Sequence, residues 1–172
     1  MAALASPCGA DRVAAAVADQ RPPADRIEVA LPALAALAAR LLSRLPEPVR
    51  RGALQSAFDR ARDAFNRRDF EVVFALFAAD VEYGPPPPLH DGGLLRGRAA
   101  VFEFWREVGA RYESTIENLD LQEASPGCIV RTARLRHRLR ATGEELEYVI
   151  TQTTELEGGR VVRQVNVLAD DS

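Results

Sequence analysis

The sequence predicts an α+β fold in which helices lie on one face of a curved antiparallel sheet. Three observations carry this. Apolar residues recur at helical spacing up to about residue 112, and from there to residue 168 they alternate with a period of two. The long final segments are joined by connections too short for anything but antiparallel neighbours.

Residues 1–48 differ in kind from the rest of the chain. They are rich in Ala, Pro and Arg, and Pro22-Pro23 and Pro46-Glu47-Pro48 punctuate them. Between these, Leu31, Leu34, Leu37, Leu41 and Leu45 share a helical face, and Pro32 fits a first turn, where its missing N–H is not needed. The expectation is one amphipathic helix of about 12 residues after a disordered start. Three readings of it stay open: an extra helix packed on the domain, translation from a start upstream of the true domain, and a regulatory or partner-binding helix.

A domain is expected over residues 51–170, from Arg51 to Asp170. Leu54, Phe58, Ala61 and Phe65 form the apolar face of a first helix, which Asn66-Arg67-Arg68 ends. Asp69 is placed to cap a second, short helix carrying Val72, Val73, Leu76 and Phe77 inward. Asp80-Val81-Glu82-Tyr83 alternates as a short strand. Gly84 and the prolines at 85–88 end it, since such a run neither donates ladder bonds nor enters a helix. A third helix spans Arg98–Tyr112, with Val101, Phe104, Trp105, Val108 and Tyr112 inward. Four strands come after it: Thr115–Glu123, Cys128–Arg140, Glu145–Glu157 and Val161–Leu168. Their connections are Ser125-Pro126-Gly127, a turn at Thr142-Gly143, and a tight Gly158-Gly159 hairpin, where glycine accepts positive φ without strain.

At 172 residues and 47% apolar, the chain suffices for one domain with a real core. A net charge of −3 gives no electrostatic case for a nucleic-acid partner. All 22 basic residues are Arg, which points to codon bias in a GC-rich bacterial genome rather than to function. Cys8 and Cys128 are too few for a disulfide framework; they read as a tail thiol and a small buried hydrophobe. The chain shows no cation-led signal segment and no apolar run of about 18 residues that would span a membrane, so a soluble cytoplasmic protein is the default expectation. Two His and no clustered Cys argue against a zinc site. Asp91-Gly92-Gly93 lacks the Lys and Ser/Thr of a phosphate-cradling loop. No metal or other cofactor is expected.

Ala64-Phe65-Asn66-Arg67-Arg68-Asp69-Phe70, then Leu76-Phe77-Ala78-Ala79-Asp80-Val81-Glu82-Tyr83, resembles the opening of NTF2-like proteins of the SnoaL-like group (polyketide cyclase SnoaL-like domain). Asp91-Gly92-Gly93-Leu94-Leu95-Arg96-Gly97-Arg98 is similar to their loop before the third helix, and Leu156-Glu157-Gly158-Gly159-Arg160-Val161-Val162-Arg163 to their final hairpin. The resemblance implies an NTF2-like cone: three helices packed on a curved antiparallel sheet, here preceded by the extra N-terminal helical segment. It implies a cavity inside the cone and commonly a homodimer through the sheet. It does not imply one function, because relatives include cyclases, ketosteroid isomerases, epoxide hydrolases, dehydratases and inert binding modules. Aligned on those motifs, the base and tyrosine positions of the isomerases fall on Pro85 and Ala61, and neither side chain can do that work.

Alternation assigns the cavity lining, since side chains two apart share a face. The more apolar face of Cys128–Arg140 carries Ile129, Arg131, Ala133, Leu135, His137 and Leu139, and the opposite face carries Arg134, Arg136, Arg138 and Arg140. In Glu145–Glu157 the more apolar face carries Leu146, Tyr148, Ile150, Gln152, Thr154 and Leu156. In the last strand, either Val162, Gln164, Asn166 and Leu168 face inward, or Arg163, Val165 and Val167 do. The interior is thus partly polar, and buried polar groups need partners, water or a ligand. An inward Arg131 would bind a carboxylate or enolate, or else pair with Glu117 or Glu123. His137 is the inward side chain with an ordinary pKa near neutrality, though at a strand end it also fits an exposed rim. His90 and Asp91 come directly after the proline run, as a gate, as a catalytic pair, or as solvated loop residues.

These residues support two functions. In the first, a cofactor-free cyclase, isomerase or lyase acts on a hydrophobic polyketide- or terpenoid-like molecule. His137, Tyr148 and Asn166 would be catalytic, and Arg131, Gln152, Thr154 and Gln164 would contact the ligand, as would Tyr83 and Trp105, for which packing in the core alone is the other reading. In the second, the same pocket binds or regulates without turnover. The inferred lining contains no Asp or Glu, which favours the second; its polar strand faces favour the first.

Overall fold

The computed structural model describes residues 21–42, 44–90 and 92–169. The readings of Cys8, of the chain's start, of Asp91 and of Asp170 lie outside these residues.

The expected single N-terminal helix is two: α1, Pro23–Ala30, and α2, Pro32–Leu42. Pro32 causes the break, because a proline ring pushes the preceding residue out of the helical region, and Leu31 sits at φ −133°, ψ 61°. The next helix, α3, spans Glu47–Asn66 and so begins ahead of Arg51. Pro48 does not delay it, since first-turn N–H groups have no helical partner. The short helix α4, Phe70–Val73, is preceded by Asp69, but the Asp69 carboxylate makes no capping bond. It instead receives Arg21 Nε at 2.6 Å and Nη2 at 2.7 Å. Phe77 opens the first strand rather than closing that helix.

The strands are β1, Phe77–Gly84; β2, Leu95–Arg96; β3, Tyr112–Ser125; β4, Cys128–Leu139; β5, Glu145–Glu157; and β6, Arg160–Leu168. Helix α5, Arg98–Arg111, precedes β3. One sheet results, in the order β2-β1-β6-β5-β4-β3, antiparallel throughout except that β1 runs parallel to β6. It is curved and unclosed. Asn66, at the end of α3, clamps this helix to β3: its amide donates to Ile116 O at 3.1 Å and accepts from Ile116 N at 2.8 Å. Between helices and sheet lies the core, where Phe65 meets Trp105 edge-on at 4.9 Å and Phe74 meets Phe77 at 4.9 Å. On the opposite face of the sheet Arg134 pairs with Glu117, Arg136 with Glu147 and Arg140 with Glu113.

Helix α2 reverses its expected orientation. Leu34, Leu37 and Leu41 are about half exposed, while Ala36, at 5% exposure, faces the domain. Gly159 accounts for this. At φ 82° it closes the β5–β6 hairpin, and a Cβ there would lie 2.0 Å from the Ala36 carbonyl oxygen. The hairpin therefore admits the small side of α2 to backbone contact and leaves the leucines outside. Farther along, Asp25 of α1 receives Arg67 at 2.9 Å. Among the described residues no helix is long and apolar enough to cross a membrane.

Candidate functional site

Register brings the inward polar residues into rows. Arg131 lies opposite Gln152, and Gln152 opposite Asn166; Ile129 lies opposite Thr154, and Thr154 opposite Gln164. Of the expected lining, Arg131, His137, Gln152, Thr154 and Asn166 are buried, and Tyr148 and Gln164 are half-buried. In β6 the face carrying Gln164 and Asn166 turns inward; Leu168 at its end is exposed, as is Leu146 at the start of β5. A register shift between Glu155 and Leu156 also brings Val161 to the inner side, which strict alternation would have turned outward.

Two adjoining spaces lie over these rows. The outer cavity, about 500 Å³, is bounded by α2, α3, α4 and β4–β6; Leu54, Phe58, Leu76, Ile129 and Val161 supply apolar wall, and Thr154 and Gln164 polar wall. Deeper, an inner chamber of about 40 Å³ is lined by Phe65, Tyr83, Trp105, Arg131, Gln152 and Asn166 among others. Val73 and Gln164 line both spaces. The inner chamber has room for a water molecule or one ligand oxygen, not for a ligand body.

Arg131 is the unusual member. Its Nη1 donates to Asn118 Oδ1 at 3.1 Å, its guanidinium lies 5.3 Å from the centre of the Phe58 ring, and its buried Nε has no partner. Burial without a carboxylate lowers its pKa to about 10, which still leaves it charged at neutral pH. The pairing with Glu117 or Glu123 is not formed. Glu117 holds Arg134 at 3.1 Å and Glu123 holds Arg50 at 2.7 Å. A register shift between Asn118 and Asp120 falls beside the residue that reaches Arg131, so the neighbouring strand offers it a neutral amide.

The other chamber groups are largely committed. Trp105 Nε1 donates to the Tyr83 hydroxyl at 2.9 Å, and burial raises the Tyr83 pKa, so the phenol stays neutral. Gln152 Nε2 donates to Asn166 Oδ1 at 2.8 Å, and Asn166 Nδ2 donates to Gly84 O at 2.7 Å. Asn166 therefore ties β5 to the end of β1. Thr154 Oγ1 reaches Gln164 Oε1 only at 3.5 Å, leaving Gln164 the least constrained amide of the set.

His137 and Tyr148 line neither space. His137 Nδ1 bonds Ser114 Oγ at 2.7 Å, its Nε2 bonds the Tyr148 hydroxyl at 2.8 Å, and the two rings stack at 5.4 Å. At 1% exposure, the imidazole is not at a rim; burial lowers its pKa to about 4, so it is neutral at pH 7. His90 is half-buried, its ring edge-on to Phe104 at 5.9 Å. Ala61 lines the outer cavity and Pro85 is buried. Among the described residues no group of His, Cys, Asp or Glu is arranged to hold a metal.

Sequence reasoning missed Asn118, Phe58, Ser114 and the arginines of the outer cavity. Ser114 and Asn118 share the face of β3 that carries Ile116, and Phe58 lies on the apolar face of the first helix, so periodicity was an available signal for all three; nothing local announced the arginines.

The family model for the SnoaL-like domain matches residues 58–164, well over half of the chain. No curated protein sequence matches. Among solved structures, an NTF2-like protein of unknown function from Burkholderia pseudomallei is 23% identical, with 67% of this chain and 89% of that one covered at a TM-score of 0.58. A candidate polyketide cyclase from Xanthomonas campestris is 17% identical, covering 67% and 89% at 0.59. A Mycobacterium tuberculosis protein in complex with estradiol-17β-hemisuccinate is 21% identical, covering 68% and 94% at 0.59. Likeness at these identities speaks for the fold alone, whereas the family match extends from Phe58 of α3 to Gln164 of β6. This chain belongs to the SnoaL-like domain family, on an NTF2-like fold.

Proposed function

We propose that the protein takes a hydrophobic, polyketide- or terpenoid-like molecule into the outer cavity and draws one of its oxygens into the inner chamber. There Arg131 polarises that oxygen, for cofactor-free chemistry of the isomerase, cyclase or lyase type. One observation carries the reading: Arg131, a buried guanidinium without a carboxylate and with an unpartnered Nε, is among the residues that line a chamber of about 40 Å³. Leaving such a donor unmade is costly, and a ligand oxygen relieves that cost. A fixed cation in a low-dielectric chamber also stabilises charge that develops on a carbonyl or epoxide oxygen. Gln164, on the wall of both spaces, is the amide in reach of the same ligand.

A second reading, binding without turnover, has its own support. No Asp or Glu is among the chamber-lining residues, and His137 has both ring nitrogens committed. The test is a panel of cyclic ketones, lactones and epoxides, with estradiol-17β-hemisuccinate added because a relative binds it. Binding and turnover are both followed, in the native protein and in Arg131→Met. Turnover lost in Arg131→Met supports the enzymatic reading. Saturable binding without turnover selects the second, and no binding by any compound overturns both.

A further inference from the structure

We propose that Tyr83 is a second donor to the ligand oxygen: its hydroxyl hydrogen and Arg131 Nε meet one oxygen in the inner chamber, which makes the chamber an oxyanion hole. The proposal rests on the reading above and adds to it a residue and a narrower ligand class. Hydrogen-bond accounting carries it. A phenol has one hydrogen to give and two lone pairs to offer, whereas an indole N–H only donates. In the 2.9 Å bond with Trp105 the Tyr83 oxygen is thus the acceptor, and its own hydrogen is left over. Asn166 does not take that hydrogen. Its Oδ1 accepts from Gln152, its Nδ2 donates to Gly84 O, and toward Tyr83 it acts in the same sense as Trp105, favouring the phenolate. Among the described residues no acceptor is bonded to the Tyr83 hydrogen, although the side chain is only 2% exposed. A buried donor left unmade is costly, and a ligand oxygen relieves that cost here as it does at Arg131.

Sheet order brings the two donors to one space. Tyr83 stands on β1 and Arg131 on β4, and the strands between them, β6 and β5, carry the bonded pair Asn166 and Gln152. All four residues line the inner chamber, which has room for one oxygen, so donors on either side of it act on the same atom. The two are also coupled electrostatically. Burial, the larger influence, keeps the phenol neutral and its hydrogen in place, while the guanidinium favours the phenolate. Accepting from Trp105 polarises the O–H bond and strengthens it as a donor, by about 10–30%. A carbonyl oxygen offers two lone pairs in its plane, one for each donor. It gains charge on the way to an enolate, and a fixed cation and a neutral phenol stabilise that charge together. The ligand class is therefore ketones and lactones with an apolar body.

The experiment reads the carbonyl stretch of bound 2-decalone, labelled with carbon-13 at the carbonyl, by infrared difference spectroscopy on the full chain. Hydrogen-bond donors at the oxygen lower this frequency. In the native protein it should lie below its value in hexane, and it should rise part of the way back in Tyr83→Phe and in Arg131→Met. Affinity should fall about tenfold in Tyr83→Phe, the size of one neutral hydrogen bond. Site-specific replacement of Tyr83 by 3-fluorotyrosine, a more acidic phenol that keeps the bond to Trp105, should lower the stretch further. That readout holds even if Tyr83→Phe, which strands the Trp105 N–H, does not fold. A stretch that moves in Arg131→Met but not on fluorination overturns the role of Tyr83 and leaves that of Arg131 standing. So does an affinity loss in Tyr83→Phe without a change of frequency, the mark of a structural role. An unshifted carbonyl in the native protein, or no binding of 2-decalone, overturns both.

Discussion

Arg131 and His137 occupy the same inward face of β4 and are both almost wholly buried, yet their surroundings differ in kind. Around His137 the hydrogen bonding is complete: Ser114 takes one ring nitrogen, Tyr148 the other, and aromatic rings fill the remaining space. Around Arg131 it is not: one neutral amide, one aromatic face, a small chamber and an unpartnered Nε. A closed polar network specifies structure, whereas an open one holds free energy that a ligand can release. Titration alone would choose His137 as the functional residue; hydrogen-bond accounting chooses Arg131.

The largest effect expected from breaking this contrast is at Arg131. Arg131→Met removes a charged donor, and ligand affinity should fall about 100-fold, the size of a lost charge-assisted hydrogen bond. The same variant should unfold at higher urea, by about 1–3 kcal/mol, because an apolar side chain of similar length replaces a buried charge. A clear loss of stability would mean that Arg131 is as well satisfied as His137, and the contrast would collapse.

The next effect is pH dependence at the other residue. The ordinary His value is 6.5 and burial lowers it to about 4 in the fold, so as pH falls the unfolded chain takes up the proton first. Stability from this group is complete above pH 6.5 and is lost as pH falls through 4, by about 3 kcal/mol in total. Urea unfolding at several pH values in the native protein and in His137→Gln measures it: the variant's profile should be flatter by that amount. Equal slopes would show that His137 is solvated.

Smallest is Tyr148→Phe, which leaves His137 Nε2 without its 2.8 Å partner. It should cost about 1–2 kcal/mol of stability in urea. Affinity for the panel should not change, and a change would return Tyr148 to the ligand site.

Local interactions are legible in the sequence, and non-local ones are not. The Gly158-Gly159 hairpin and the Ser125-Pro126-Gly127 turn are readable because glycine there adopts positive φ, at 58°, 82° and 81°. The inward rows are readable because a strand's period of two survives burial of polar residues. Partners are not readable. Whether Arg131 meets Glu117, Glu123 or Asn118 depends on where β3 shifts register, and Val161 turns inward beside a shift in β5. Five leucines at helical spacing suggest the buried face of α2, but the close approach at Gly159, distant in sequence, selects Ala36 instead. The parallel pairing of β1 with β6 is non-local in the same way.

The most direct test is a crystal structure with the tightest-binding ketone, lactone or epoxide of the panel. The expected result is a ligand oxygen within about 3 Å of Arg131 Nε, the body of the ligand in the outer cavity, and His137 still held between Ser114 and Tyr148. A ligand oxygen bound at His137, or a ligand that leaves Arg131 Nε without a partner, would contradict the central role of Arg131.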